Sequence, residues 1–228
     1  MRLRTLPSLN NTGKKTEMAE DIRRDFEAVA SRWDSNPGRV RIASEVAAAI
    51  RREVALSSEM NVLDYGCGTG LLVLQLQPFV HTVTGADNSP AMLEVMANKI
   101  ATQKLSNART QFVDFERGAH ASGSYDLIVS SMVTHHVPDT AALFREWFRL
   151  LNPGGKIAFA DLDTEDGAFH GDNTGVFHLG FDRIELRKLL LAAGFAEVRD
   201  STATSVHKEI EGQGAREFPI FLIVADKK

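Results

Sequence analysis

Val62-Leu63-Asp64-Tyr65-Gly66-Cys67-Gly68-Thr69-Gly70, followed by Leu71-Leu72-Val73-Leu74, is the stretch that decides the fold. A short apolar run meets three alternate glycines and then an apolar helical pattern, so it reads as a strand turning sharply into a helix. Glycine permits the tight turn, and without a β-carbon it lets a ligand lie against the main chain. The spacing restricts the ligand. A dinucleotide loop, G-x-G-x-x-G, needs its third glycine at position 71, where this chain has Leu71. No glycine-lysine-serine pattern follows, so a triphosphate loop is excluded as well.

Outward from the loop, short apolar runs alternate with helical stretches, the texture of a parallel sheet covered on both faces. Strands are predicted at 61–65, 80–86, 110–115, 125–132 and 156–161. Ser89 and Pro90 supply the cap and first-turn proline of a helix over 91–103. A helix over 140–151 stacks Leu143, Phe144 and Trp147, and Asn152-Pro153-Gly154-Gly155 then turns the chain. The last helix, 184–193, precedes strands at 197–207 and 218–225, joined as an antiparallel hairpin through Gly212-Gln213-Gly214. Upstream, Ile22, Phe26, Val29, Ala30 and Trp33 predict an amphipathic helix over 17–34, ended by Asn36-Pro37-Gly38. A second helix then carries Ala43, Val46, Ala47, Ile50 and Val54 on one face.

Asp64, two residues before the first glycine, would repel a pyrophosphate and attract an ammonium or sulfonium group; S-adenosylmethionine carries both. Asp87 ends the next strand about 20 residues past the loop, a position suited to accept from both ribose hydroxyls. Its other reading is a helix-start carboxylate in Asp87-Asn88-Ser89.

With these residues in place, the chain resembles the class I S-adenosylmethionine-dependent methyltransferases, and within them the small-molecule, ubiquinone/menaquinone-biosynthesis-like branch. The resemblance is carried by Leu63 to Gly70, Gly85-Ala86-Asp87-Asn88-Ser89-Pro90-Ala91-Met92-Leu93, Val113-Asp114-Phe115, Tyr125-Asp126-Leu127-Ile128 and Leu150-Leu151-Asn152-Pro153-Gly154-Gly155. It implies an α/β fold: a Rossmann-like, doubly wound, mostly parallel seven-stranded sheet with an antiparallel C-terminal strand and an N-terminal helical cap. The expected divisions are a disordered tail over 1–16, the cap over 17–58 and a cofactor-binding methyltransferase domain over 59–228.

The resemblance also distributes roles. Asp64 and the loop with Gly66, Cys67, Gly68 and Gly70 would hold the methionine end of S-adenosylmethionine. Asp87 would hold the ribose, and Asn88 and Met92 would flank the adenine. Asp114 would accept from the adenine amino group while Phe115 donates its backbone amide, and Ser130 and Ser131 would begin the pocket wall under the methyl group. For Asp114 a solvated strand-end acid is the other reading.

Ligands of open α/β sheets lie beyond the carboxyl ends of the strands. That places the methyl acceptor near 131–139, the long segment 161–181 and the first helix, where Phe26 and Trp33 are candidate lid residues or core. His136 or His135 is a candidate general base, because imidazole titrates near neutral pH, and His178 and His170 are further candidates. The other reading makes them packing or loop-capping groups. A metal site from His170, Asp172 and His178 has suitable donors but no diagnostic spacing, so no metal is assigned.

The formal charge, 26 − 30 = −4 over 228 residues, gives no electrostatic footprint for nucleic acid. Ser130-Ser131-Met132-Val133 also departs from the Asn/Asp-Pro-Pro-aromatic segment of amino-methylating nucleic-acid enzymes. A lone cysteine, Cys67, excludes an internal disulfide framework and fits a reducing, cytoplasmic setting. No apolar run nears the ~20 residues of a membrane span. The basic N-terminal stretch lacks a secretory core, leaving a tail or an organelle transit peptide. The expected activity is methyl transfer to an oxygen, nitrogen or carbon atom of a small metabolite. Methylation of RNA or protein and a non-catalytic cofactor-binding module are the alternatives.

Overall fold

The structure is a computed structural model that describes residues 24–228. The expected tail over 1–16, and the start of the expected first helix, lie outside the described residues. Seven strands form one sheet: β1 (Asn61–Tyr65), β2 (Thr82–Asp87), β3 (Ala108–Phe112), β4 (Tyr125–Ser131), β5 (Leu151–Leu162), β6 (Ala196–Ile210) and β7 (Gly214–Asp226). Their order is β3-β2-β1-β4-β5-β7-β6, parallel throughout except β7, which runs antiparallel to both neighbours.

Alternation along the strands divides the core in two. Val62, Val83, Leu127 and Val129 face α1 (Pro37–Glu53), α2 (Leu71–Leu76) and α3 (Pro90–Gln103), which contribute Ile50, Val73 and Met96. Leu63, Ile128, Ile157 and Phe159 face α4 (Thr140–Leu150) and α5 (Arg183–Ala192), which contribute Phe144, Trp147 and Leu190. Helix α1 is thus part of the layer covering the sheet. No described helix is long and apolar enough to cross a membrane.

Four local expectations change. Glu27–Ser35 is a 3-10 helix with only Ala30 buried, since side-chain ties to the loop and to α3 hold it in place of a continuous apolar stripe. Asn36 starts α1: its side chain accepts from the Gly38 and Arg39 amides, and Pro37 takes the first helical position. Strand β3 ends at Phe112 because Asp114 caps a 3-10 turn over Phe115–Arg117. Asn152 to Gly155 lies within β5 as a bulge, its pairing jumping from Tyr125↔Leu151 to Leu127↔Lys156. The Gly154 amide donates to Lys227 O and the Lys227 amide to Gly155 O, which ties that bulge to the chain end.

Candidate active site

The sheet order reverses between β1 and β4, and a cavity of about 530 Å³ opens beyond the strand ends at that point. Its first wall is the glycine loop. The Gly66 and Cys67 amides both donate to Ala86 O, at 2.7 and 3.0 Å, which draws the loop across β2. Gly66 has φ +75°, and a β-carbon there would lie 2.4 Å from Val133 Cγ2, so the loop and the segment after β4 touch with no room for a side chain.

Asp64 lies at the base of this wall, 2 % exposed, and its Oδ2 has no hydrogen-bond partner among the described residues. Burial, reinforced by the charge of Asp87, pushes its carboxyl up to about 8. Asp87 accepts from the Gly68 amide at 2.7 Å and the Ser89 amide at 2.9 Å, one on each oxygen. It therefore holds the turn that leads into α3, whose cap is Ser89, while still lining the cavity, with further lone pairs to offer. Burial raises its pKa and those amides oppose the shift.

Asn88, Met92, Asp114, Phe115, Cys67 and Ser131 also line the cavity. Asp114 is 7 % exposed and its carboxylate accepts from the Arg117 amide at 3.2 Å. Cys67 is buried, its thiol pushed well up by burial, with Sγ 3.6 Å from Met96 Sδ. Three expected residues stand back from the wall. Gly70, at φ +82°, caps α2 and meets Met96, and Ser130 Oγ donates to Tyr65 O at 2.7 Å inside the sheet. His178 Nε2 bonds to Val137 O at 3.0 Å.

The opposite wall is built by the turn after β4 and the loop after β5. Met132 takes φ +60°, a strained value for a side-chain-bearing residue, and the turn Thr134–His136 follows it. His135 is 1 % exposed, its Nδ1 2.6 Å from Asp161 Oδ1, and its amide donates to Asp161 Oδ2 at 3.1 Å. Burial works to raise Asp161, but His135 and the backbone amides outweigh it and hold the carboxyl below its usual range. His136 Nδ1 lies 2.6 Å from Gly175 O; a carbonyl only accepts, so Nδ1 carries the proton. His170 Nε2 lies 3.2 Å from His135 Nε2, and Arg24 donates to His170 Nδ1 at 3.2 Å. Burial, then the neighbouring imidazoles, bring His136 down to about 4 and His170 to about 3, so both are neutral at physiological pH. Asp172 is exposed and accepts from Thr174, so the trio with His170 and His178 is not assembled.

Sequence reading missed how the N-terminal segment is fastened. Glu27 accepts from Ser89 Oγ at 2.6 Å and from the Ala91 amide, while Asp34 accepts from Thr69 Oγ1 at 2.6 Å and pairs with Lys99. Lys99 also donates to Thr69 O. The segment thereby hangs Phe26, Val29 and Trp33 over the cavity. The only available signal was acids on the polar face of an amphipathic stretch, which solvent explains equally well.

A methyltransferase-domain family model matches residues 39–200. The chain is 30% identical over 122 residues to an uncharacterized methyltransferase of Schizosaccharomyces pombe, covering 50% of this chain and 43% of that protein. It is 32% identical over 120 residues to a ubiquinone biosynthesis O-methyltransferase of Coxiella burnetii, covering 53% of this chain and 50% of the other. The chain thus spans about half the length of these curated relatives. Among solved structures, the YcgJ protein of Bacillus subtilis superposes with TM-score 0.69 at 18% identity, over 80% of this chain and 98% of that one. Phosphoethanolamine N-methyltransferase 2 of Haemonchus contortus, in complex with S-adenosyl-L-methionine, superposes with TM-score 0.67 at 17% identity, over 90% and 60%. These structures share the fold.

Proposed function

The chain belongs to the methyltransferase-domain family, and on that premise we propose that it binds S-adenosylmethionine and transfers the methyl group to an oxygen, nitrogen or carbon nucleophile of a small metabolite. The observation that carries this reading is Asp64: a buried carboxyl beside a glycine loop, its Oδ2 without a hydrogen-bond partner among the described residues, within a cavity that Asp87 and Asp114 also line. Such a site is unfavourable when empty of cations and complementary to a ligand bearing an ammonium and a sulfonium. When bound, S-adenosylmethionine supplies an electrophilic methyl carbon with a thioether as leaving group.

Asp64 takes the ammonium, and the backbone from Gly66 to Gly68 lies against the methionine end. Asp87 accepts from the ribose, Asn88 and Met92 flank the adenine, and Asp114 with the Phe115 amide meets its edge. Because the leaving group is already good, most of the acceleration comes from alignment. The acceptor side consists of Phe26, Val29, Trp33, His135, His136 and His170, an apolar rim with imidazoles at its base. His136 has Nδ1 committed to Gly175 O, so Nε2 is the nitrogen left with a lone pair. A small acceptor is supported by this partly enclosed, mostly apolar lining, by the net charge of −4, and by the named activity of the Coxiella relative.

Calorimetry with S-adenosylmethionine is the direct test. Binding in roughly the micromolar range is expected, as for enzyme substrates. Asp87→Ala should abolish it, and undiminished binding by that variant would show the cofactor assignment to be wrong.

A further inference from the structure

We infer that His135, His136 and His170 form a binding site for a divalent transition ion, zinc being the best fit, with a coordination position open to the cavity. The inference rests on the methyltransferase reading, because it places the ion on the acceptor side of that cavity. One nitrogen from each of the three residues lies within 4.8 Å of the others. His135 Nε2 and His170 Nε2 are 3.2 Å apart. Two nitrogens bound tetrahedrally at ~2.0–2.1 Å from zinc are separated by about 3.3 Å, so this pair already has the spacing of adjacent ligands.

The outer nitrogens point the same way. A ligating imidazole usually donates its other N–H to a carboxylate or a backbone carbonyl, which fixes the tautomer. His135 Nδ1 meets Asp161 Oδ1 at 2.6 Å, and His136 Nδ1 meets Gly175 O at 2.6 Å. Both Nε2 atoms are left as lone-pair donors. Buried Asp161 places one negative charge behind the cluster, and its second oxygen holds the His135 amide, so the first ligand is fixed by backbone and side chain together. His170 arrives from the loop after β5, 35 residues further along, so that loop supplies the remaining member of the set.

Arg24 opposes the ion. Its guanidinium donates to His170 Nδ1, which in a ligated His170 would carry a proton. Without an ion, two of the three residues form a chain with their neighbours: Arg24 to His170 Nδ1, His170 Nε2–H to His135 Nε2, and His135 Nδ1–H to Asp161, while His136 stays on Gly175 O. Ion binding breaks its first two links. Three neutral nitrogen donors with no carboxylate in direct contact suit zinc or cobalt over magnesium or calcium. An ionisable hydroxyl of the methyl acceptor is the ligand class that the open position takes.

The test uses the full chain stripped with a chelator, then titrated with Zn²⁺ by calorimetry and with Co²⁺ by visible absorption. One ion per chain and tetrahedral cobalt bands are expected. His170→Ala should weaken binding by at least about 100-fold, since a ligand should matter no less than the outer partners, whose loss costs ~10–100-fold. Arg24→Ala should tighten it. Absence of binding, or binding that His170→Ala leaves unchanged, overturns the proposal; circular dichroism of that variant separates lost ligation from lost fold. Catechol, as a hydroxyl probe, should shift the cobalt bands, and unshifted bands overturn the open position. S-Adenosylmethionine binding is measured on the same samples. If it persists without metal binding, only the metal inference fails; if it is absent from intact protein, the methyltransferase reading fails.

Discussion

Replacing Asp64 by asparagine tests the charge logic of the cavity most directly. Burial and then Asp87 push the Asp64 carboxyl from 3.8 up to about 8. An acid whose folded pKa lies above its unfolded one holds an extra proton in the folded state between the two values. Its penalty is absent below about pH 3.8, grows as pH rises and levels off above about 8. At ~1.4 kcal/mol per unit, the gap sets a ceiling of about 4 kcal/mol on the destabilisation of the cofactor-free protein at pH 7. Asparagine is neutral throughout and removes this penalty, but it leaves a buried amide without partners, at a cost of about 1–3 kcal/mol. Urea denaturation of both proteins between about pH 5 and 8.5 should therefore show wild type losing stability by up to ~1.4 kcal/mol per pH unit relative to the variant, which overtakes it as pH rises. S-Adenosylmethionine supplies the second half of the test, since its ammonium requires the carboxylate. At about pH 6.5, wild type should release about one proton on binding, seen as a heat that depends on the buffer's ionisation enthalpy. Parallel stability curves for the two proteins would mean that Asp64 is already ionised in the free protein, refuting the reasoning.

Gly66→Ala should lower Tm and weaken cofactor binding at least about tenfold, because a left-handed alanine costs ~1–2 kcal/mol before its contact with Val133 is counted. Adding Val133→Ala should recover part of the Tm loss, and a purely additive double variant would remove the contact from the explanation. Gly180→Ala would put a β-carbon 2.0 Å from Asp163 O at φ +69°; limited proteolysis should then cut within 163–182, where wild type resists. Glu27→Gln weakens charge-assisted bonds to Ser89 and Ala91, so stopped-flow should show cofactor leaving about tenfold faster, with little change in Tm.

The parts legible in the sequence are those governed by local chemistry. The glycine loop announces itself because three glycines at alternate positions have one structural use, and β1 and β4 because adjacent apolar residues, Val62-Leu63 and Leu127-Ile128-Val129, mark strands covered on both faces. The spacing of Phe26, Val29 and Trp33 fits a repeat of 3.6 residues better than one of 3, so periodicity pointed to an α-helix where tertiary ties hold a 3-10 run. Ser130 and Ser131 are chemically alike, and only the pleat of β4 sends one to Tyr65 O and the other to the cavity. The histidine cluster was the least legible feature. His135, Asp161 and His170 are brought together by a crossover, a strand and a loop, and no spacing rule encodes that meeting.

Glu27–Ser35 borders both halves of the cavity: Asp34 is bonded to the loop residue Thr69, while Phe26 packs edge-on against His136, their ring centroids 5.3 Å apart. On the proposed function, cofactor and acceptor would therefore share one door. A door common to both ligands couples their traffic, so spent cofactor and methylated product leave through a single opening event. Opening it would require the hydrogen bonds of this segment to α3 and the glycine loop to let go. Substitutions at its two fastening acids, Glu27 and Asp34, would then change the tempo of the reaction more than its chemistry.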